Sequence, residues 1–340
     1  MTADRIRSAA RRYPLVLVAL GVLLYSTGPV MVQASGVSGP VFSFWRLWIG
    51  VLVLGILTGL QWRAGEPWPR ADQWRVAVWA GVAFGTHQLL LFTAIRITTV
   101  VDVTLVAALA PIVTAVGARW MFGERPGRGF WGWAVVAIAG GVLLAVAASS
   151  APTGNAAGMA MALANVVAFA AFFLLSKRGR DHLAVVPFLF GAFVVAAVVV
   201  SAFVLATAAP ALDVRTVDLV LAAGVAIGPG TLGHLVMTWP LRYVPATIPP
   251  IMRLALPFIA GALAWWLLDE PMSWRHLFAG ALVVAGAAGT VLSSEGRRLR
   301  AEARERVDEV AGGVTARAPD PGRRPEHRPT VRRPTRTRTH

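Results

Sequence analysis

The sequence predicts an all-α integral membrane protein of ten transmembrane helices arranged as two inverted five-helix repeats. Three observations carry this reading. Apolar blocks of about 20 residues recur along the chain, basic residues concentrate in alternate connections, and a set of identities returns at one constant offset.

The blocks come first. Of 340 residues, 56% are hydrophobic and 14% charged, against about 25% charged in an ordinary soluble domain. About 20 helical residues cross a hydrocarbon core of ~30 Å. Stretches of that length are read at 14–34, 40–60, 76–95, 99–121, 131–148, 158–176, 184–207, 217–238, 247–268 and 275–294. The joints between them hold Gly, Pro and the charges. Arg5, Arg7, Arg11 and Arg12 ahead of the first block, with Val32-Gln33-Ala34 at its end, also resemble a signal peptide. The block exceeds the usual ~7–15-residue apolar region of one, and the repeat needs this helix, so it is read as the first span.

Charge then sets orientation. Alternate connections carry Arg5/Arg7/Arg11/Arg12, Arg63/Arg70/Arg75, Arg125/Arg128, Lys177/Arg178/Arg180, Arg242 and the arginine-rich tail. The other connections carry nothing, Arg96, nothing, Arg215 and Arg275. Lys and Arg next to a span bias that side to the cytoplasm, so both termini are expected there, in a plasma membrane. Trp62, Trp68, Trp74, Trp131, Trp133, Trp265, Trp266 and Trp274 stand near span ends, as interfacial anchors do.

The repeat is the most informative feature. Arg96, Pro111, Trp120, Glu124 and Gly140 recur as Arg242, Pro257, Trp266, Glu270 and Gly286, each pair separated by about 146 residues with no gap. Each copy holds five spans, so the second must enter the membrane from the opposite side. The expected division is a cytoplasmic N-terminus (1–13), a first repeat (14–148), a linker (149–157), a second repeat (158–294) and a basic tail (295–340). The tail is rich in Arg, Pro and Thr with few large apolar residues, a composition that stays disordered, apart from a brief helical extension over 295–310. It reads either as a surface for anionic lipid or as a solvated segment that reinforces orientation. With no aromatic residues among its arginines, nucleic acid is not an expected partner.

The sequence resembles the EamA type of the drug/metabolite transporter superfamily. The resemblance is carried by Ser38-Gly39-Pro40-Val41-Phe42-Ser43-Phe44-Trp45-Arg46, Ala108-Leu109-Ala110-Pro111, Gly123-Glu124-Arg125 and Ala139-Gly140-Gly141-Val142-Leu143-Leu144. In the second half it rests on Leu256-Pro257, Asp269-Glu270-Pro271 and Ala285-Gly286. It covers about residues 14–294 and implies ten helices, an inverted repeat, and transport of amino acids, other metabolites or drugs, often outward. Two departures stand out. The second half has no counterpart of Arg46, and the first helix has Leu24-Tyr25-Ser26-Thr27-Gly28-Pro29 where a Trp-Gly pair is more usual.

Polar residues inside the spans are the candidates for function, since an intramembrane charge costs several kcal/mol and is kept near a partner or a wet cavity. Arg46 and Asp102 fall at similar outer depth, so they read as an ion pair or as a snorkelling Arg and a helix cap. Arg253 follows Pro249-Pro250, a pair expected to break the helix; it reads as a ligand for a substrate carboxylate or as a snorkelling Arg. Tyr25, His87 and Gln88 fall near mid-membrane, Asn165 is shallower and His234 lies nearer the inner end, all as cavity candidates. Glu124 and Glu270, each closing a helix near Arg125 or Arg275, are expected to tie loops to helix ends at a gate. Gly140, Gly141, Gly280, Gly286 and Gly289 permit close helix approach, within the chain or in a homodimer.

The expected function is a secondary transporter of small metabolites or drugs, an exporter working by alternating access, with amino-acid-like substrates favoured. The alternatives are a membrane sensor or scaffold using the basic tail, and a membrane-embedded enzyme. The sequence has no cysteine, which removes thiolate chemistry. Its six histidines lack metal-ligand spacing, and no phosphate-binding loop or hydrolase motif occurs. No catalytic residue, metal or cofactor is therefore expected.

Overall fold

The computed structural model describes residues 13–97, 103, 106–147, 155–259, 262, 266 and 273–315. Among them the chain is all-helical, without strands: α1 Pro14–Gln33, α2 Gly39–Arg63, α3 Ala71–Ile97, α4 Ala110–Phe122, α5 Arg128–Ala147, α6 Ala156–Gly179, α7 Val185–Ala206, α8 Thr216–Arg242, α9 Ile248–Ile259 and α10 Trp274–Thr315. Among the described residues five helices are long and apolar enough to cross a membrane: α2, α6, α7, α8 and the Trp274–Ser294 part of α10. Shorter apolar stretches, Pro14–Gly28, Arg128–Leu143 and Ile248–Ile259, accompany them.

The ends of these helices follow from local chemistry. The Asn155 side chain accepts from the backbone N–H groups of Ala157 (2.9 Å) and Gly158 (3.3 Å) at the start of α6, supplying two of the partners a first turn lacks. α4 ends at Gly123 with φ +67°, a left-handed conformation that favours glycine; it turns the chain so that Glu124 points back across the bundle. The prolines of α9 act differently from expectation. Pro249 and Pro250 lie in its first turn, where a missing N–H costs nothing. The departure from α geometry comes later, in a 3₁₀ turn at Arg253–Ala255.

α8 holds an irregularity that the apolar pattern does not announce. Between Thr216–Val225 and His234–Thr238 the helix widens to a π conformation over Ala226–Gly233, which contains Pro229. A proline inside a helix removes one N–H and crowds the preceding turn, and a π turn accommodates the misfit. The His234 Nδ1 lies 3.3 Å from the Pro229 carbonyl; since a carbonyl only accepts, Nδ1 donates.

Contacts fix the relative directions of many helices. Gly21 meets Met237 while Gly28 meets Pro229, so α1 and α8 run antiparallel. Gly50 meets Phe193 and Gly55 meets Phe190, so α2 and α7 do too. His87 faces Phe169 and Phe84 faces Phe172, which sets α3 against α6. In contrast α3 and α7 are parallel: Trp74 meets Phe190 and Phe84 meets Phe193. α5 and α10 cross closely and reciprocally. A Cβ on Gly140 would sit 2.7 Å from the Val283 nitrogen, and one on Gly286 would collide with the backbone of Ala137.

The main core lies among α2, α3, α6 and α7, with Leu47, Leu54, Phe84, Phe172, Phe188, Leu189 and Phe193 fully buried. Leu52, Ile56 and Leu60, one per turn on the outer face of α2, are more than half exposed, as lipid-facing residues are. Trp62, Trp68, Trp131, Trp133, Trp266 and Trp274 are also exposed. Residues 295–340 form a second unit. Its described part is helical to Thr315, beyond the short extension expected. Arg298–Glu302, Glu302–Arg306 and Arg304–Asp308 place opposite charges four residues apart in the sequence, a spacing that favours a helix.

Candidate functional site

A polar and aromatic assembly inside the bundle is built from α1, α2, α3, α6, α8 and α9. Its centre is aromatic. The His234 ring lies 5.0 Å from Tyr25, 5.0 Å from Phe84 and 5.4 Å from Phe193. Phe84 stacks on Phe172 at 4.7 Å and faces His87 at 6.2 Å. Two guanidinium groups flank this cluster. Arg46 stands 5.8 Å above Phe84; Arg253 stands 4.0 Å above Phe169 and 5.2 Å above Tyr25.

A cavity of about 330 Å³ adjoins the Arg253 side. Its walls come from His87 and Leu91 of α3, Asn165, Val166 and Phe169 of α6, Pro250, Arg253, Leu254 and Pro257 in and after the first turns of α9, Gly141 of α5, and the segment Ala107–Ala110 leading into α4. The lining is mostly apolar with a few polar atoms, the usual make-up of a small-molecule site. The polar atoms are unspent. In this lining His87 Nδ1 and Asn165 Oδ1 are buried without a hydrogen-bond partner; Ser43 Oγ and Thr231 Oγ1, also unpaired, lie outside it. A buried polar atom left unpaired costs about 1–3 kcal/mol, so this much polarity is retained where water or a ligand supplies partners.

Arg253 is the most telling member. Cation–π contacts give it about 0.5–2 kcal/mol each, but they engage none of its five N–H donors. Among the described residues it has no carboxylate partner within ion-pair distance. It can therefore present its fork to a carboxylate or another planar anion in the cavity.

The candidates from sequence divide accordingly. His87, Asn165 and Arg253 line the cavity, and Tyr25 packs against Arg253. His234, in the later part of α8, sits against Tyr25 because α1 and α8 are antiparallel, which brings that part of α8 beside the middle of α1. Gln88 is buried but lies outside the cavity lining, and Arg46 lies beyond Phe84. Asp102 and Glu270 lie outside the described residues. Phe84, Phe169 and Thr231 were missed. Phe84 stands three residues from His87 and Phe169 four from Asn165, so helical spacing puts each on the same face as its polar neighbour. That signal was available.

Glu124 lies elsewhere, where α4 and α6 end. Its carboxylate accepts from Lys177 Nζ at 2.5 Å and, with both oxygens at 3.1 Å, from the Ala246 N–H. Lys177 also donates to the Val244 carbonyl at 3.0 Å and lies over the Phe122 ring. The sequence set Glu124 beside Arg125 and gave no sign of Lys177, which reaches it from another helix 53 residues away. Close by, Arg180 donates to the Leu183 carbonyl at 2.5 Å. Burial, then the like charge of Arg242, lowers its pKa to about 10, which leaves it a cation at neutral pH.

The chain matches the EamA-like transporter family over residues 12–146 and again over 156–292. It is 26% identical over 292 residues to the uncharacterized transporter YwfM of Bacillus subtilis (strain 168), a comparison covering 81% of this chain and 94% of that one. A solved crystal structure of a protein shares the fold with a TM-score of 0.69 at 20% identity, across 85% of this chain and 99% of the other.

Proposed function

The chain belongs to the EamA-like transporter family and is with it a multi-pass membrane protein, and we propose that it is a secondary transporter, not an enzyme, exporting small molecules with a carboxylate and an apolar body. Amino-acid-like compounds are the favoured substrates. On this reading ten helices span the plasma membrane as two inverted halves with both termini cytoplasmic. The substrate sits in the cavity between α3, α6 and α9, its carboxylate on Arg253 and its apolar part against Leu91, Val166 and Phe169. The halves exchange arrangements to open the cavity to alternate sides.

The observation that carries the proposal is the buried Arg253 facing an apolar cavity beside the unpaired His87 Nδ1 and Asn165 Oδ1. The duplicated family match and the reciprocal Gly140–Val283 and Gly286–Ala137 contacts support two halves of opposed direction. Overexpression against a panel of toxic amino-acid analogues, organic acids and uncharged drugs tests it. Raised tolerance to carboxylate-bearing compounds is expected, with faster counterflow in proteoliposomes loaded with the same compound. Tolerance to none of them, with no counterflow, would overturn it.

A further inference from the structure

We propose that Glu124, Lys177 and the Val244–Ala246 backbone form the latch that holds one end of the transport path shut. This rests on the alternating-access reading.

Four observations lead there. The cluster lies at the helix ends, beyond the cavity: the cavity uses the middle of α6 at Asn165 and Phe169, whereas Lys177 closes the same helix. It joins three segments, the end of α4, the end of α6 and the loop between α8 and α9, and so bridges the two family-matched stretches. Beneath it, Ala118, Leu174 and Ala246 pack into a small apolar plug with Met121 and Phe122. The two side chains are 19% and 17% exposed, so the pair is largely withdrawn from water, where it is stronger than a surface ion pair. A helix cap alone would not explain why one carboxylate takes an ammonium from α6 and an N–H from the α8–α9 loop while that ammonium also binds a carbonyl of the same loop.

The latch is also unequal between the halves. Glu270 repeats Glu124, but the segment that corresponds to the end of α6, Pro29 to Gly36, contains no lysine or arginine. The opposite end is joined differently: Asp218, paired with Arg215, accepts from the Gly36 N–H, so undoing the Glu124–Lys177 pair should release this end alone.

The absence of native cysteine allows a direct test in nanodiscs, where both faces are accessible. Three single-cysteine reporters are used with an impermeant maleimide: Ala118→Cys under the latch, Leu91→Cys in the cavity wall, and Ala197→Cys in the core of α7. Each is made in the parent and with Glu124→Gln or Lys177→Met. Either change should raise labelling at Ala118→Cys about tenfold, and the two together should add little, since they undo one lock. Labelling at Leu91→Cys should fall as the other end closes. No increase at Ala118→Cys in either variant would overturn the latch. An equal increase at Ala197→Cys would also overturn it, because general loosening, not a gate, would then be the cause. A rise at Ala118→Cys with Leu91→Cys unchanged would support the latch and remove the alternating-access reading on which it was framed.

Discussion

At the scale of single residues, Arg253 and the atoms around it decide what the cavity can hold. A guanidinium within a membrane protein is costly, with about 2.5–3.5 kcal/mol as the lower estimate at a helix centre, and the rings of Phe169, Tyr25 and Phe173 return only part of that. The remainder falls to whatever occupies the cavity. A charge-assisted hydrogen bond contributes about 1.5–3 kcal/mol, so Arg253→Ala should weaken a carboxylate substrate roughly 10- to 150-fold. An uncharged substrate of similar shape should change less than about threefold on the same arithmetic. Arg253→Lys keeps the charge but loses the planar fork and should fall between. Binding measured on purified protein with a carboxylate and its methyl ester decides this; equal losses for both would place Arg253 outside the site. Position along the chain was enough to single out Arg253, His87 and Asn165, because each is a polar group deep in an apolar run. It was not enough to join Glu124 to Lys177, because an ion pair across 53 residues depends on where two helices end in space.

At the scale of helices, most of the architecture was readable and the irregularities were not. Length and hydropathy located α1, α2 and α5 to α8 to within a few residues, since an apolar run long enough to span a bilayer has few other uses, whereas the described α4 begins only at Ala110 and α10 runs on to Thr315. The π turn of α8 was hidden because Gly228-Pro229-Gly230 is compatible with a kink, a break or a bulge, and packing against α1 selects among them. Gly140 and Gly286 were legible as close-approach positions but not as partners. Their contacts make a prediction. Gly286→Ala gains about 1 kcal/mol of helix propensity but drives a methyl into the Ala137 backbone, and overpacking of this kind costs about 1–3 kcal/mol. Because the obstacle is backbone, the collision should prevail and lower the melting temperature in detergent by roughly 2–6 °C. Gly132→Ala, on the same pair's α5 but with nothing within 4 Å, should be neutral or slightly stabilising. A Gly286→Ala protein melting at or above the parent would show that α5 and α10 are not in the close crossing described.

At the scale of the whole molecule, the proposed inverted arrangement predicts where loops of like position in the two halves emerge. The α2–α3 connection and the α7–α8 connection occupy the same place in the two family-matched stretches, and five spans per half would put them on opposite faces. Their charges agree. The first is flanked by Arg63, Arg70 and Arg75; the second has Arg215 alone, and that arginine is held by Asp218 through contacts of 2.8 and 3.1 Å. Asp218 also accepts from the Gly36 N–H at 2.7 Å, tying the α1–α2 connection to the same end of the bundle. Basic residues near span ends favour the cytoplasmic side, so the α2–α3 loop should be inside and the α7–α8 loop outside. Leu212 is 87% exposed and Glu66 lies in the exposed loop after α2, so a single cysteine at either should react readily where reagent can reach it. An impermeant maleimide should label Leu212→Cys in intact cells and Glu66→Cys only after permeabilisation. The opposite pattern would reverse the orientation while keeping the inverted halves. Labelling of both from the same face would be incompatible with an odd number of crossings between related loops, and the two-half alternating mechanism would go with it.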